Sequence, residues 1–214
     1  MGRLFKGVSF VVLYLLFLTV NLTQVSAAQR VAIVHFHVGD GHKSAAEAAE
    51  QMLKKHRPDL EIQVIDLLKH MNVFGRLIMK HSYEALVGSA PTLWQFFYFQ
   101  IANFVGYSAM ERIASMPHLL VNDSLIDVIK NRDPKTRKFN PPDYVIATHP
   151  NAIMILNMLI RKGILPRTTK ILTVHTDYVL TEMYNVPGQM IVAENAIRDQ
   201  VIKMGRDPAT VRAT

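Results

Sequence analysis

The chain has 214 residues, with 24 Lys and Arg against 17 Asp and Glu for a formal charge of +7, 50% hydrophobic and 19% charged residues, and no cysteine. The length suits one ordinary domain with a sizeable core, and the composition excludes a disordered or collagen-like chain. The missing thiols exclude disulfides, thiolate zinc sites and cysteine nucleophiles, while the basic balance favours anionic partners.

Arg3 and Lys6 precede an uncharged run from Val8 to Val20, and small residues follow at Val25-Ser26-Ala27-Ala28. The run is shorter than the about 20 apolar residues of a spanning helix, so residues 1–27 read as a signal peptide, with a membrane anchor as the alternative. Removing them takes away two positive charges, +7 becoming +5, so most of the basic character belongs to residues 28–214.

From there, short β-rich runs alternate with stretches of helical spacing, which predicts an α/β fold. Val31–Phe36 is near-continuously apolar, as in a parallel strand covered on both faces. A glycine turn leads into a helix over 42–56 with a small-residue face, ended by Pro58. Further strands are expected at Glu61–Asp66, Tyr144–Ala147, Lys170–Val174 and around Met190–Ala193, with helices at Asn151–Arg161 and Ala196–Met204 closed by Gly163 and Gly205. Residues 69–118 hold half of the chain's aromatics and no clear strand, and read as a helical insertion. Its Pro91-to-Phe99 cluster lies among Arg76, Lys80 and Arg112, a pairing of aromatic and basic groups that suits an anionic membrane interface. Packing against the sheet explains any single aromatic there equally well.

The turn His37-Val38-Gly39-Asp40-Gly41-His42-Lys43-Ser44 joins a buried strand to a helix amino terminus, where glycines let a ligand approach and the helix dipole favours negative charge. It lacks the spacing of a Walker loop, and Ser44 replaces the third glycine of a dinucleotide fingerprint, although Asp66 ends the second strand where a ribose-binding acid would stand. His42 is placed to take a proton from a hydroxyl, or simply to cap its helix. Thr148-His149-Pro150 and His175-Thr176-Asp177 follow later strands and should face the same crevice. With His35, His37 and His42 they keep a His/Asp metal-dependent hydrolase open as an alternative. His56, His70, His81 and His118 read as surface residues.

The glycine turn ending in His42, Pro91-x-x-Trp94, Thr148-His149-Pro150 and Thr176-Asp177 together resemble the amino-terminal domain of monogalactosyldiacylglycerol synthases and processive diacylglycerol glucosyltransferases, in consistent order from Val31 to Thr214. The resemblance implies a Rossmann-like parallel sheet flanked by helices, equivalent to the amino-terminal half of a GT-B glycosyltransferase. It implies diacylglycerol or an anionic membrane lipid as partner, with His42 as the catalytic base. Gly39, Gly41, His149 and Asp177 would line the acceptor cleft, Pro91 and Trp94 would meet lipid, and neither cofactor nor metal would be required. The family continues into a donor-binding domain that this chain lacks on this reading. A nucleotide sugar would then be used only with a second domain, conceivably one that is separately encoded. The expectation is a membrane-associated protein, exported if the leader is cleaved and on the cytoplasmic face if it is an anchor. A non-enzymatic lipid- or carbohydrate-binding domain is the alternative. The scattered Lys and Arg residues match no nucleic-acid motif.

Overall fold

The computed structural model describes residues 29–37, 40–77, 123–131, 135, 139–176 and 188–214. The leader at 1–27, Gly39, Asp177 and the insertion from residue 78 onward, with Pro91 and Trp94, lie outside the described residues.

Among the described residues six strands form one sheet: β1 (Arg30–His35), β2 (Glu61–Asp66), β3 (Tyr144–Ala147), β4 (Lys170–Val174), β5 (Gln189–Val192) and β6 (Val211–Ala213). Their spatial order is β2-β1-β3-β4-β5-β6, and every neighbouring pair is parallel. This is the α/β arrangement expected from the alternating pattern, and the Rossmann-like parallel sheet that the resemblance implies. All six residues of β1 are buried because the strand has a neighbour on each side and a layer on each face, which is why it reads as a continuous apolar run.

The described helices are α1 (Asp40–His56), α2 (Val73–Arg76), α3 (Asp123–Ile129), α4 (Pro150–Arg161) and α5 (Asn195–Lys203), with 3-10 turns at Leu67–His70 and Pro208–Thr210. Alternation along the strands divides the core into two layers. On one face Val31, Ile33 and Ile146 pack with Ala46, Ala49 and Leu53 of α1. On the other, Ala32, Val34, Val145 and Ala147 pack with α3, α4 and α5 through Leu125, Ile153, Leu156 and Ile197. Small alanines on α1 bring its backbone close to the sheet, so the start of the helix is held near the end of β1.

Helix α4 buries eight of its 12 residues and is therefore anchored on nearly all sides. Pro150 begins it without wasting a backbone donor. Gly163, at φ +68°, ends it in a Schellman turn, with Gly163 N donating to the Ile160 carbonyl (3.0 Å) and Ile164 N to that of Leu159 (2.9 Å). Gly188 opens β5 at φ +108°, where a Cβ would lie 2.8 Å from the Ile171 carbonyl oxygen, so no other residue fits that approach.

Two elements escape the sequence pattern. β6 has three residues, too few for a period-2 signal, and Asp207 sets up its preceding turn by accepting from Ala209 N (2.9 Å). α3 is seven residues long and shows its core role only through the fully buried Leu125 and Ile129.

Candidate functional site

The register aligns Val34 with Ala147 and Ala147 with Thr173, so the residues following β1, β3 and β4 emerge along one edge of the sheet. β1 leads into α1 on one face, whereas β3 leads into α4 on the other. The two connections diverge between β1 and β3, and a crevice at such a reversal is where open α/β sheets bind ligands. His42, Thr148, His149 and Thr176 converge there.

His42 is the third residue of α1 and is partly buried. Its Nδ1 lies 2.6 Å from the Thr148 carbonyl oxygen and 2.7 Å from Thr176 Oγ1. Thr148 Oγ1 in turn donates to the His42 carbonyl (3.0 Å), and Thr148 N donates to the Val34 carbonyl (3.1 Å). A carbonyl oxygen can only accept, so at 2.6 Å the hydrogen belongs to Nδ1. In the neutral ring the lone pair then resides on Nε2, the form in which a histidine acts as a general base.

His149 caps the amino terminus of α4, its Nδ1 accepting from Asn151 N (3.0 Å). The neutral His149 ring therefore carries its hydrogen on Nε2, the opposite tautomer to His42. The two rings meet edge to face, with centroids 4.4 Å apart and 67° between planes, and Phe36 packs against His149 at 5.0 Å. Burial holds the His149 pKa well below the usual histidine value, and the nearby His42 and His35 push it further in the same direction. His149 thus stays neutral beside His42.

His35 ends β1 buried, and burial lowers its pKa against the opposing pull of Asp66. Asp66 is occupied with local backbone, accepting from Leu68 N (3.1 Å) and His37 N (3.3 Å). Its position at a strand end is explained by capping the turn into the next segment, and no nucleotide is needed to account for it. His37 is exposed, with Nε2 3.9 Å from Asp40.

Gly41 lies inside the first turn of α1, and a Cβ there would meet nothing within 4 Å. The position is exposed and meets no steric demand of the chain. His70 lies at the surface, partly buried, with its Nδ1 3.3 Å from Ser124 Oγ and its pKa lowered by desolvation. Among the described residues no three His, Asp or Glu side chains are grouped to hold a metal ion, so the metal-dependent reading finds no ligand set there. No helix among them is long and apolar enough to cross a membrane. Thr148 and Thr176, which hold His42, belong to motifs visible in the sequence but carry no catalytic signature of their own.

A family model described as monogalactosyldiacylglycerol (MGDG) synthase matches residues 42–214, beginning at the histidine on which this geometry centres. No curated protein and no solved structure gives a significant match.

Proposed function

The chain belongs to the monogalactosyldiacylglycerol synthase family, a family of glycolipid-forming glycosyltransferases, and from that premise we propose that it is the acceptor-side domain of such an enzyme, with His42 as its base. The free hydroxyl of diacylglycerol enters the crevice between β1 and β3 and meets His42 Nε2. As the hydroxyl oxygen bonds to the anomeric carbon of a nucleotide sugar, its proton passes to Nε2. The bond from the anomeric carbon to the diphosphate breaks, and the electron pair leaves with the nucleotide. A second domain supplies the donor site, since one sheet edge neither encloses the diphosphate nor stabilises its developing charge.

The observation that carries this reading is the 2.6 Å contact from His42 Nδ1 to the Thr148 carbonyl, because it fixes the tautomer a base requires. Gly41 leaves room for the acceptor beside the ring, and His149 offers an Nε2 hydrogen in the same neighbourhood. Following the family resemblance, we assign Gly39 and Asp177 to acceptor binding, and Pro91 and Trp94 to lipid contact and membrane association.

The test is sugar transfer from a nucleotide sugar to diacylglycerol in mixed micelles, with the full chain alone and complemented by a donor domain of the family. His42→Ala is expected to lower the rate about 10²–10⁴-fold, the usual contribution of a general base. Transfer undiminished in His42→Ala refutes the assignment.

A further inference from the structure

We infer that Thr176 is a positioning residue for His42: its hydroxyl, bridging the His42 ring and the Thr148 carbonyl, adds to the carbonyl's hold on the Nδ1–H tautomer. The inference rests on the reading of His42 as the base and deepens it.

The three groups form a closed triangle. Nδ1 to the Thr148 oxygen is 2.6 Å, Nδ1 to Thr176 Oγ1 is 2.7 Å, and Thr176 Oγ1 to the Thr148 oxygen is 3.3 Å. Only one placement of hydrogens satisfies all three sides. The carbonyl has none to give, so the threonine hydroxyl points its hydrogen at the carbonyl and turns a lone pair towards Nδ1–H. The reverse arrangement, with the hydroxyl donating to an unprotonated Nδ1, would set the nitrogen lone pair against the carbonyl lone pairs at 2.6 Å.

Sequence separations of 106 and 134 residues tie the ends of β1, β3 and β4 together at this point, so local chain geometry does not produce the arrangement. Thr148 adds a second tie through Oγ1 to the His42 backbone, which fixes the ring relative to the carbonyl it faces. A histidine base held by a carboxylate gains orientation together with a negative charge behind it. The carbonyl and the hydroxyl are themselves neutral and supply orientation, the first a backbone group that no side-chain substitution removes and the second one that a substitution does.

The experiment is two-bond ¹⁵N–¹H correlation spectroscopy of the histidine rings in the uniformly ¹⁵N-labelled full chain, at a pH where the rings are neutral. His42 of the wild type should show a protonated Nδ1 and an unprotonated Nε2, with His149 showing the converse. Thr176→Val, close in shape, should move the His42 tautomer ratio about tenfold towards Nε2–H, the change expected for one lost hydrogen bond. Thr176→Ser should restore the wild-type pattern, and Thr176→Ala removes the hydroxyl without adding bulk should the valine variant fold poorly. A wild-type His42 with unprotonated Nδ1, or a ratio unchanged when the hydroxyl is removed, overturns the inference. Neither result depends on turnover, so it stands apart from the fate of His42→Ala in the transfer assay. Loss of transfer in His42→Ala with no effect of Thr176 on the tautomer sinks the positioning role alone, whereas full transfer in His42→Ala sinks the base.

Discussion

Two histidines in contact at the crevice hold their hydrogens on opposite nitrogens, and the cause lies in the partner of each Nδ1: a carbonyl for His42 and a backbone N–H for His149. The pair has a consequence for pH. His149 has a folded pKa well below its ordinary value, with burial the largest cause, and burial also lowers those of His35 and His70. As pH falls through about 6.5 the unfolded chain takes up protons at these residues while the folded chain resists them. Their contribution to stability is therefore complete above that pH and is lost on acidification down to the folded values. Urea denaturation from pH 7.5 to pH 5 should show stability falling by up to about 1.4 kcal/mol per unit through the buried His149, with smaller contributions from the more solvent-screened His35 and His70, and His149→Asn, which keeps a capping acceptor, should flatten the slope. A profile unaffected by this substitution would show that His149 does not titrate as its surroundings dictate.

Gly41 carries a prediction of opposite sign for stability and function. The space around it accommodates a methyl group and helix propensity favours alanine, so Gly41→Ala should stabilise the chain by about 0.5–1 kcal/mol while weakening acceptor binding. His42 and His149 were legible as residues because glycine turns and strand-end motifs advertise themselves. The way they are held was not, since it depends on a backbone carbonyl and on contacts between residues more than 100 positions apart.

Among the elements, β2, β3 and β4 have the bounds their sequences indicate, because each is a short apolar or alternating run between clear punctuation. β1 and β5 begin one residue earlier than the pattern indicates and end one earlier, and α1 and α4 also start earlier, at Asp40 and Pro150, since capping groups lie outside the periodic stretch. Gly188 gave no signal at all: its necessity comes from the Ile171 carbonyl, 17 positions earlier in the chain, which no local pattern reveals. Gly188→Ala must accept both a disfavoured φ and a collision with backbone, and should cost about 2–4 kcal/mol. Thermal denaturation checks this, and a variant as stable as the wild type would mean that β5 can shift away from β4. Such a shift would also disturb His175, whose N–H bonds the Ile191 carbonyl (2.8 Å) immediately before Thr176.

At the scale of the molecule, the sheet order turns a linear alternation of strands and helices into a single functional edge. The alternating pattern implied parallel strands, but the position of the reversal between β1 and β3 depends on which strands pair, a non-local choice that the pattern does not encode. That choice brings His42 to Thr148 and Thr176. On the proposed reading a lipid acceptor brings its hydroxyl to this edge, and the aromatic cluster around Trp94 is proposed to meet the membrane. Trp94→Ala should therefore weaken binding of the full chain to anionic vesicles containing diacylglycerol, measured by co-sedimentation at low salt; unaltered binding would assign the aromatic cluster to the core. The central claim, that a lipid hydroxyl meets His42 Nε2, is tested most directly by titrating ¹⁵N-labelled chain with diacylglycerol in micelles and following the histidine side-chain nitrogens. The account predicts a saturable shift at His42 Nε2, a smaller one at His149 and none at His56, absent when the lipid hydroxyl is methylated; saturation of lipid binding without any response at His42 would contradict it.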